Sequence, residues 1–73
     1  MVTVKNIAGP DPAFLYLLAQ IEGYPSCDTT RSIPLARLAD GTLTVATEKA
    51  ALVAEVEQKK INFDAAIAAL GEL

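Results

Sequence analysis

With 73 residues, one cysteine and no histidine, this chain has neither an internal disulfide nor a histidine-bearing zinc site to hold a small fold together, and Ser-His-Asp and Cys-His catalysis are excluded. Hydrophobic residues make up 52% and charged residues 21%, which is rich for so small a body, so part of the apolar surface is expected to face a partner. The net charge of −3 argues against nucleic acid or an anionic membrane surface as that partner.

Val2-Thr3-Val4-Lys5 alternates apolar and polar residues and predicts a short strand, broken from Asn6 to Pro10. The next stretch has both ends marked. Asp11 suits an N-cap, Pro12 a first helical position and Gly23 a helix end, which predicts a capped helix over about 12–22. On that helix Phe14, Leu17, Leu18 and Ile21 share a core face, while Leu15 lies to the side and Tyr16 opposite. Leu15 and Tyr16 therefore overflow the core and are candidate contacts to a partner.

From Gly23 to Ser32 the chain reads as a loop that Ser26, Asp28, Thr29 and Thr30 can order by bonding their own backbone. Tyr24 is its natural recognition residue. Residues 33–47 have two readings. In the first, which we prefer, Ile33–Leu38 and Thr42–Ala46 form a short β-hairpin across Asp40-Gly41, with Pro34 near the start of an edge strand. In the second, Pro34–Ala39 is a short helix capped by Ser32 and ended by Gly41.

Helix formers then dominate, with Thr47 as N-cap, Glu48 in the first turn and Glu55 placed four residues before Lys59. This predicts a C-terminal helix, or a kinked helix pair, over about 48–70. Leu52, Val53 and Val56 mark its buried side. If the helix is unbroken, Phe63, Ile67 and Leu70 continue that side and Ile61 points away; if it breaks, Asn62 caps a second short helix. We prefer a break near Asn62, because an unbroken helix leaves Ile61 exposed and sets Lys59 and Lys60 beside the stripe.

Sites of chemistry are sparse. A Cys-x5-Arg phosphate loop starting at Cys27 requires arginine at position 33, which is Ile33, so Cys27 reads as a passive thiol. The glycines are isolated and the carboxylates scattered, with no phosphate cradle and no paired acid and base. The segment Leu35-Ala36-Arg37-Leu38-Ala39-Asp40-Gly41 resembles a helix-turn-helix in outline, but Ala36 stands five residues before Gly41, where the motif has four. Its surroundings also lack the positive charge needed to meet phosphates.

The sequence thus predicts a single small α+β domain spanning residues 1–73. It is expected to be a non-enzymatic structural or assembly subunit, such as an accessory component of a phage virion, that binds a protein, either itself or a larger assembly, through Leu15, Tyr16, Tyr24, Ile61, Phe63 and Ile67. No catalytic or metal residue, cofactor, small-molecule substrate, nucleic acid or membrane is expected. One free cysteine, an apolar run (Ala13–Ala19) too short to span a bilayer and no leader-like N-terminus point to the cytoplasm or a particle assembled there. The alternative is a small inhibitor or regulator of a host or cognate protein that presents residues 24–31.

Overall fold

Strands β1 (Val2–Ile7), β2 (Phe14–Ile21) and β3 (Thr29–Pro34) follow one another in an antiparallel sheet of order β1-β2-β3. A short helix, α1 (Leu35–Ala39), and a long helix, α2 (Val45–Gly71), complete the chain. This is the arrangement in a computed structural model that describes residues 1–71. The α+β class holds, and β1 and α2 lie where the sequence places a strand and a C-terminal helix.

The capped helix over 12–22 does not form; that stretch is the central strand. Asp11 and Pro12 make a turn instead of a first helical turn. The Asp11 carboxylate accepts the Ala13 N–H at 2.9 Å, and its carbonyl accepts the Phe14 N–H at 3.2 Å. Gly23, at φ +84°, completes a turn in which the Tyr24 N–H donates to the Ile21 carbonyl at 3.0 Å. Between these turns an almost wholly apolar run is better satisfied by a strand, which shows alternate side chains to opposite faces, than by a helix with one face to bury.

The inner face of the sheet carries Leu17, Ala19 and Ile21 from β2 and Ile33 from β3, all buried against Leu52 and Val56 of α2. Leu15, Val2 and Val4 pack at the margin of this core. Of the residues expected on a helical core face, Leu17 and Ile21 are buried, while Phe14 and Leu18 are half-buried and fall on the opposite side of the strand.

The preferred hairpin over 33–47 is also absent. Residues 29–34 pair with β2, from Ala19 opposite Thr29 to Phe14 opposite Pro34, and much of the expected loop is therefore β3. What remains of the loop is a single 3-10 turn at Pro25–Cys27. The chain then enters α1, the alternative reading of that segment, although Pro34 precedes it without a side-chain cap. Asp40-Gly41 links helix to helix: the Asp40 carboxylate accepts the Thr42 N–H at 2.8 Å, and Gly41 sits at φ +80°.

Helix α2 starts earlier than expected and does not break. Thr44 caps it, its hydroxyl accepting the Thr47 N–H at 3.2 Å and its carbonyl the Glu48 N–H at 3.1 Å. Asn62 stays within the helix, its side-chain oxygen accepting from Gln58 Nε2 at 3.1 Å. The Arg31–Glu48 ion pair, at 3.1 Å, ties β3 to the first turns of α2. Cys27 is buried and unpaired, and the Thr29 hydroxyl beside it donates to the Cys27 carbonyl at 2.9 Å.

Candidate functional site

Two apolar surfaces are left largely uncovered by the described residues, and both follow from the length and patterning of the elements that carry them. The 27 residues of α2 span about 40 Å at the helical rise, whereas a strand of 8 residues such as β2 spans roughly 25 Å. The helix therefore overruns the sheet by about 15 Å, and the molecule is 51 Å long but 22 Å wide. Phe63, Ile67 and Leu70 continue the helical side of Leu52 and Val56 into the overrun. There they are 39%, 54% and 62% exposed, while Leu52 and Val56 are fully covered.

The overrun leaves the body at a polar clamp. The Tyr24 hydroxyl donates to Asp64 Oδ1 at 3.0 Å, Lys60 Nζ donates to Asp64 Oδ2 at 3.1 Å, and the same ammonium stands 4.9 Å from the centre of the Tyr24 ring. Phe63 meets that ring edge-on, with centroids 5.8 Å apart and planes at 83°. The Lys60 hydrogen bond, followed by that of Tyr24, holds the Asp64 carboxyl below its ordinary value of 3.8. Asp64 in turn raises Lys60 above 10.5, by hydrogen bond first and by charge second.

A lowered carboxyl stabilises the fold above its unfolded pKa and loses that contribution as pH falls through the folded value; a raised ammonium does so in the opposite sense, at high pH. The Lys60 and Asp64 side chains are 40% and 47% exposed, and the effect is correspondingly small. Asp64→Asn is expected to lower the thermal midpoint slightly at neutral pH and to converge on the parent as pH falls below 3.8. Thermal melts across an acid series measure this, and a gap between the two proteins that does not change with pH removes the role assigned to Asp64.

The second surface is the outer face of the sheet. Because β2 is apolar on both sides, Phe14, Tyr16 and Leu18 point away from α2, with Ile7 of β1 opposite Tyr16 and Pro34 of β3 opposite Phe14. The Phe14 and Tyr16 rings lie 6.3 Å apart at 48°. No described helix or strand covers this face, although the turn before β2 lies against the Tyr16 ring, whose hydroxyl oxygen accepts the Asp11 N–H at 3.3 Å. Lys5, opposite Leu18, is its charged member, and Thr3, Gln20 and Thr30 make its other end polar.

Of the residues expected to meet a partner, Phe63 and Ile67 share the overrun stripe, Tyr16 lies on the outer sheet face, and Ile61 is 60% exposed on the far side of the helix. The other two are engaged inside the chain: Leu15 packs on the core from the inner face, and Tyr24 also packs there while its hydroxyl bonds Asp64. Leu70, Phe14, Leu18 and Ile7 belong to the two surfaces but were not expected there. The unbroken apolar run of β2 is the signal that finds two of them, Phe14 and Leu18, once it is read as a strand covered on both sides.

A shallow groove of about 400 Å³ lies at the Gly23 end of the sheet. Two of its polar side chains, Gln20 and Asp28, are hydrogen-bonded to each other at 3.1 Å. No cluster of metal-ligating side chains occurs among the described residues, and no described helix is long and apolar enough to cross a membrane. Comparison of the chain with protein-family models, curated proteins and solved structures finds no match.

Proposed function

We propose that this chain is a non-enzymatic structural or assembly subunit that associates through the apolar face of its long helix. One observation carries the reading: Phe63, Ile67 and Leu70 extend the helix's own packing stripe beyond the sheet and stay exposed there. A helix that needed only to cover this sheet would stop near the Tyr24 clamp, so the additional turns offer an apolar side to another molecule. A small accessory component of a phage virion, assembled in the cytoplasm, is the setting that suits such a subunit. The alternative of an inhibitor presenting residues 24–31 has less support, because Tyr24 is hydrogen-bonded to Asp64 while Cys27 and Thr29 are buried.

Charge placed on the stripe tests the proposal. Ile67→Glu with Leu70→Glu is expected to weaken association by roughly 30-fold or more, as for loss of a central apolar contact of about 2 kcal/mol. Far-UV circular dichroism and the urea midpoint should be nearly unchanged, since both positions lie outside the core. Sedimentation equilibrium reads the association. If the parent chain neither self-associates nor joins a larger particle, or if the double variant associates as tightly as the parent, the proposal fails.

A further inference from the structure

Resting on that association reading, we infer that Tyr24 is a latch over a latent hinge in α2: its contacts to Lys60, Phe63 and Asp64 hold the helix continuous through residues 61–64, so that the stripe of Phe63, Ile67 and Leu70 meets a partner as preformed helix. The sequence marks the hinge. Ile61, Asn62, Phe63 and Asp64 are all weaker helix formers than the Glu57-Gln58-Lys59-Lys60 before them and the alanines at 65 and 66 after them. Such a run favours a break, yet the helix continues to Gly71.

Packing on the sheet does not supply the missing stability. Val56 is the last fully covered residue of α2, and residues 61–71 are all exposed. Among the described residues, Tyr24 is the one residue outside the helix that hydrogen-bonds to it or makes a ring contact with it beyond Val56. Its hydroxyl fastens the helix at Asp64, about 12 Å past Val56 at the helical rise. Tyr24 is itself fixed: its N–H donates to the Ile21 carbonyl and its carbonyl accepts the Cys27 N–H, each at 3.0 Å, while its side chain packs against the core. The Lys60–Asp64 pair brackets the same turn from within the helix, but an exposed pair at this spacing is a weak brace by itself. Tyr24 ties that brace to the body. A partner that must first order these turns loses affinity to the ordering, so the fraction of chains with the latch closed scales the apparent affinity of the stripe.

The test is amide hydrogen exchange on the free full-length chain, followed residue by residue by NMR. Tyr24→Phe keeps the ring and removes the hydroxyl. In it the amides of residues 65–68, which bond the carbonyls of residues 61–64, are expected to exchange about three- to five-fold faster than in the parent, while Leu52 and Val56 keep their protection. Asp64→Ala removes the latch but raises helix propensity, so faster exchange there supports the latch, and slower exchange overturns it in favour of propensity alone. Asn62→Ala added to Tyr24→Phe strengthens the hinge itself and should return residues 65–68 toward the parent rates. Unchanged exchange in Tyr24→Phe overturns the latch; so does equal acceleration at Leu52 and Val56, because Tyr24 then holds the core and not the hinge. Either failure leaves association through the helix face standing. In sedimentation equilibrium Tyr24→Phe should associate about two- to five-fold more weakly than the parent, and parent-like association beside accelerated exchange overturns the regulatory role. A parent that neither self-associates nor joins a larger particle overturns the function itself and, with it, what the latch serves.

Discussion

Leu52→Ala is expected to leave the chain largely unfolded, or so close to its midpoint that mild denaturant finishes the work. Leu52 is fully buried where α2 crosses the sheet, in one cluster with Leu17, Ala19, Ile33 and Val56. Truncating a buried leucine costs about 2–5 kcal/mol, part from lost transfer energy and part from the cavity left behind. A domain of this size has a total stability toward the lower end of about 5–15 kcal/mol, and one cysteine allows no internal disulfide to add to it. Urea titration followed by circular dichroism measures the loss, and Leu52→Met, which keeps the volume, should cost less than about 1.5 kcal/mol. A loss under about 1 kcal/mol for the alanine variant would mean that the helix does not seat on the sheet at this residue.

The second large effect is expected at Gly9, for a reason of space and not of backbone conformation. Gly9 is not among the residues at positive φ, but a Cβ there would overlap the Tyr16 ring. That ring lies over the turn before β2, and its hydroxyl oxygen accepts the Asp11 N–H at 3.3 Å. Gly9→Val must displace the ring or the turn, at an expected cost of about 1–3 kcal/mol. Tyr16→Ala removes the obstruction, so in the double variant the two losses should fall short of their sum by about 1 kcal/mol or more. Strict additivity in denaturation experiments would show that the ring does not rest on Gly9.

The same pair of residues shows where sequence reading succeeds and where it stops. Alternation over Val2–Lys5 and the helix formers from Thr47 onward each point to one kind of element, and β1 and α2 form there, although the break preferred near Asn62 does not occur. The stretch around β2 admits two. Asp-Pro opens a turn as readily as a helix, glycine ends either element, and an apolar run without period is compatible with a buried helix or a strand covered on both faces. Its length, 8 residues, is the feature that favours the strand. Misreading that one element moves Leu15 to the surface and Phe14 and Leu18 to the core, because side-chain direction depends on the period assumed. A helix there leaves Thr29 and Thr30 with no strand to pair with and sends Ile33 to a hairpin whose second strand does not form.

The helix stripe was more legible because its spacing survives either reading of Asn62. Phe63 and Ile67 fall on one side of any helix through that region, whatever lies before it. Their exposure was not readable, since it depends on where the sheet ends, and that is settled by tertiary structure. Tyr24 illustrates the same limit: a tyrosine in a polar loop suggests recognition, but its hydroxyl is taken up by Asp64, 40 residues away.

Each strand of this sheet pairs only with its sequence neighbour, across connections of a few residues. Closing such short segments has a low entropic barrier, and hairpins of this kind form on a timescale of about 1–10 μs. The covering helix is contiguous with the last strand through α1, so its docking also avoids a long chain excursion. Low contact order of this kind predicts rapid, single-phase folding. The body is then complete before the last turns of α2 meet anything, and because those turns add nothing to the core, the rate at which the chain folds and the rate at which it finds another molecule are set by separate residues.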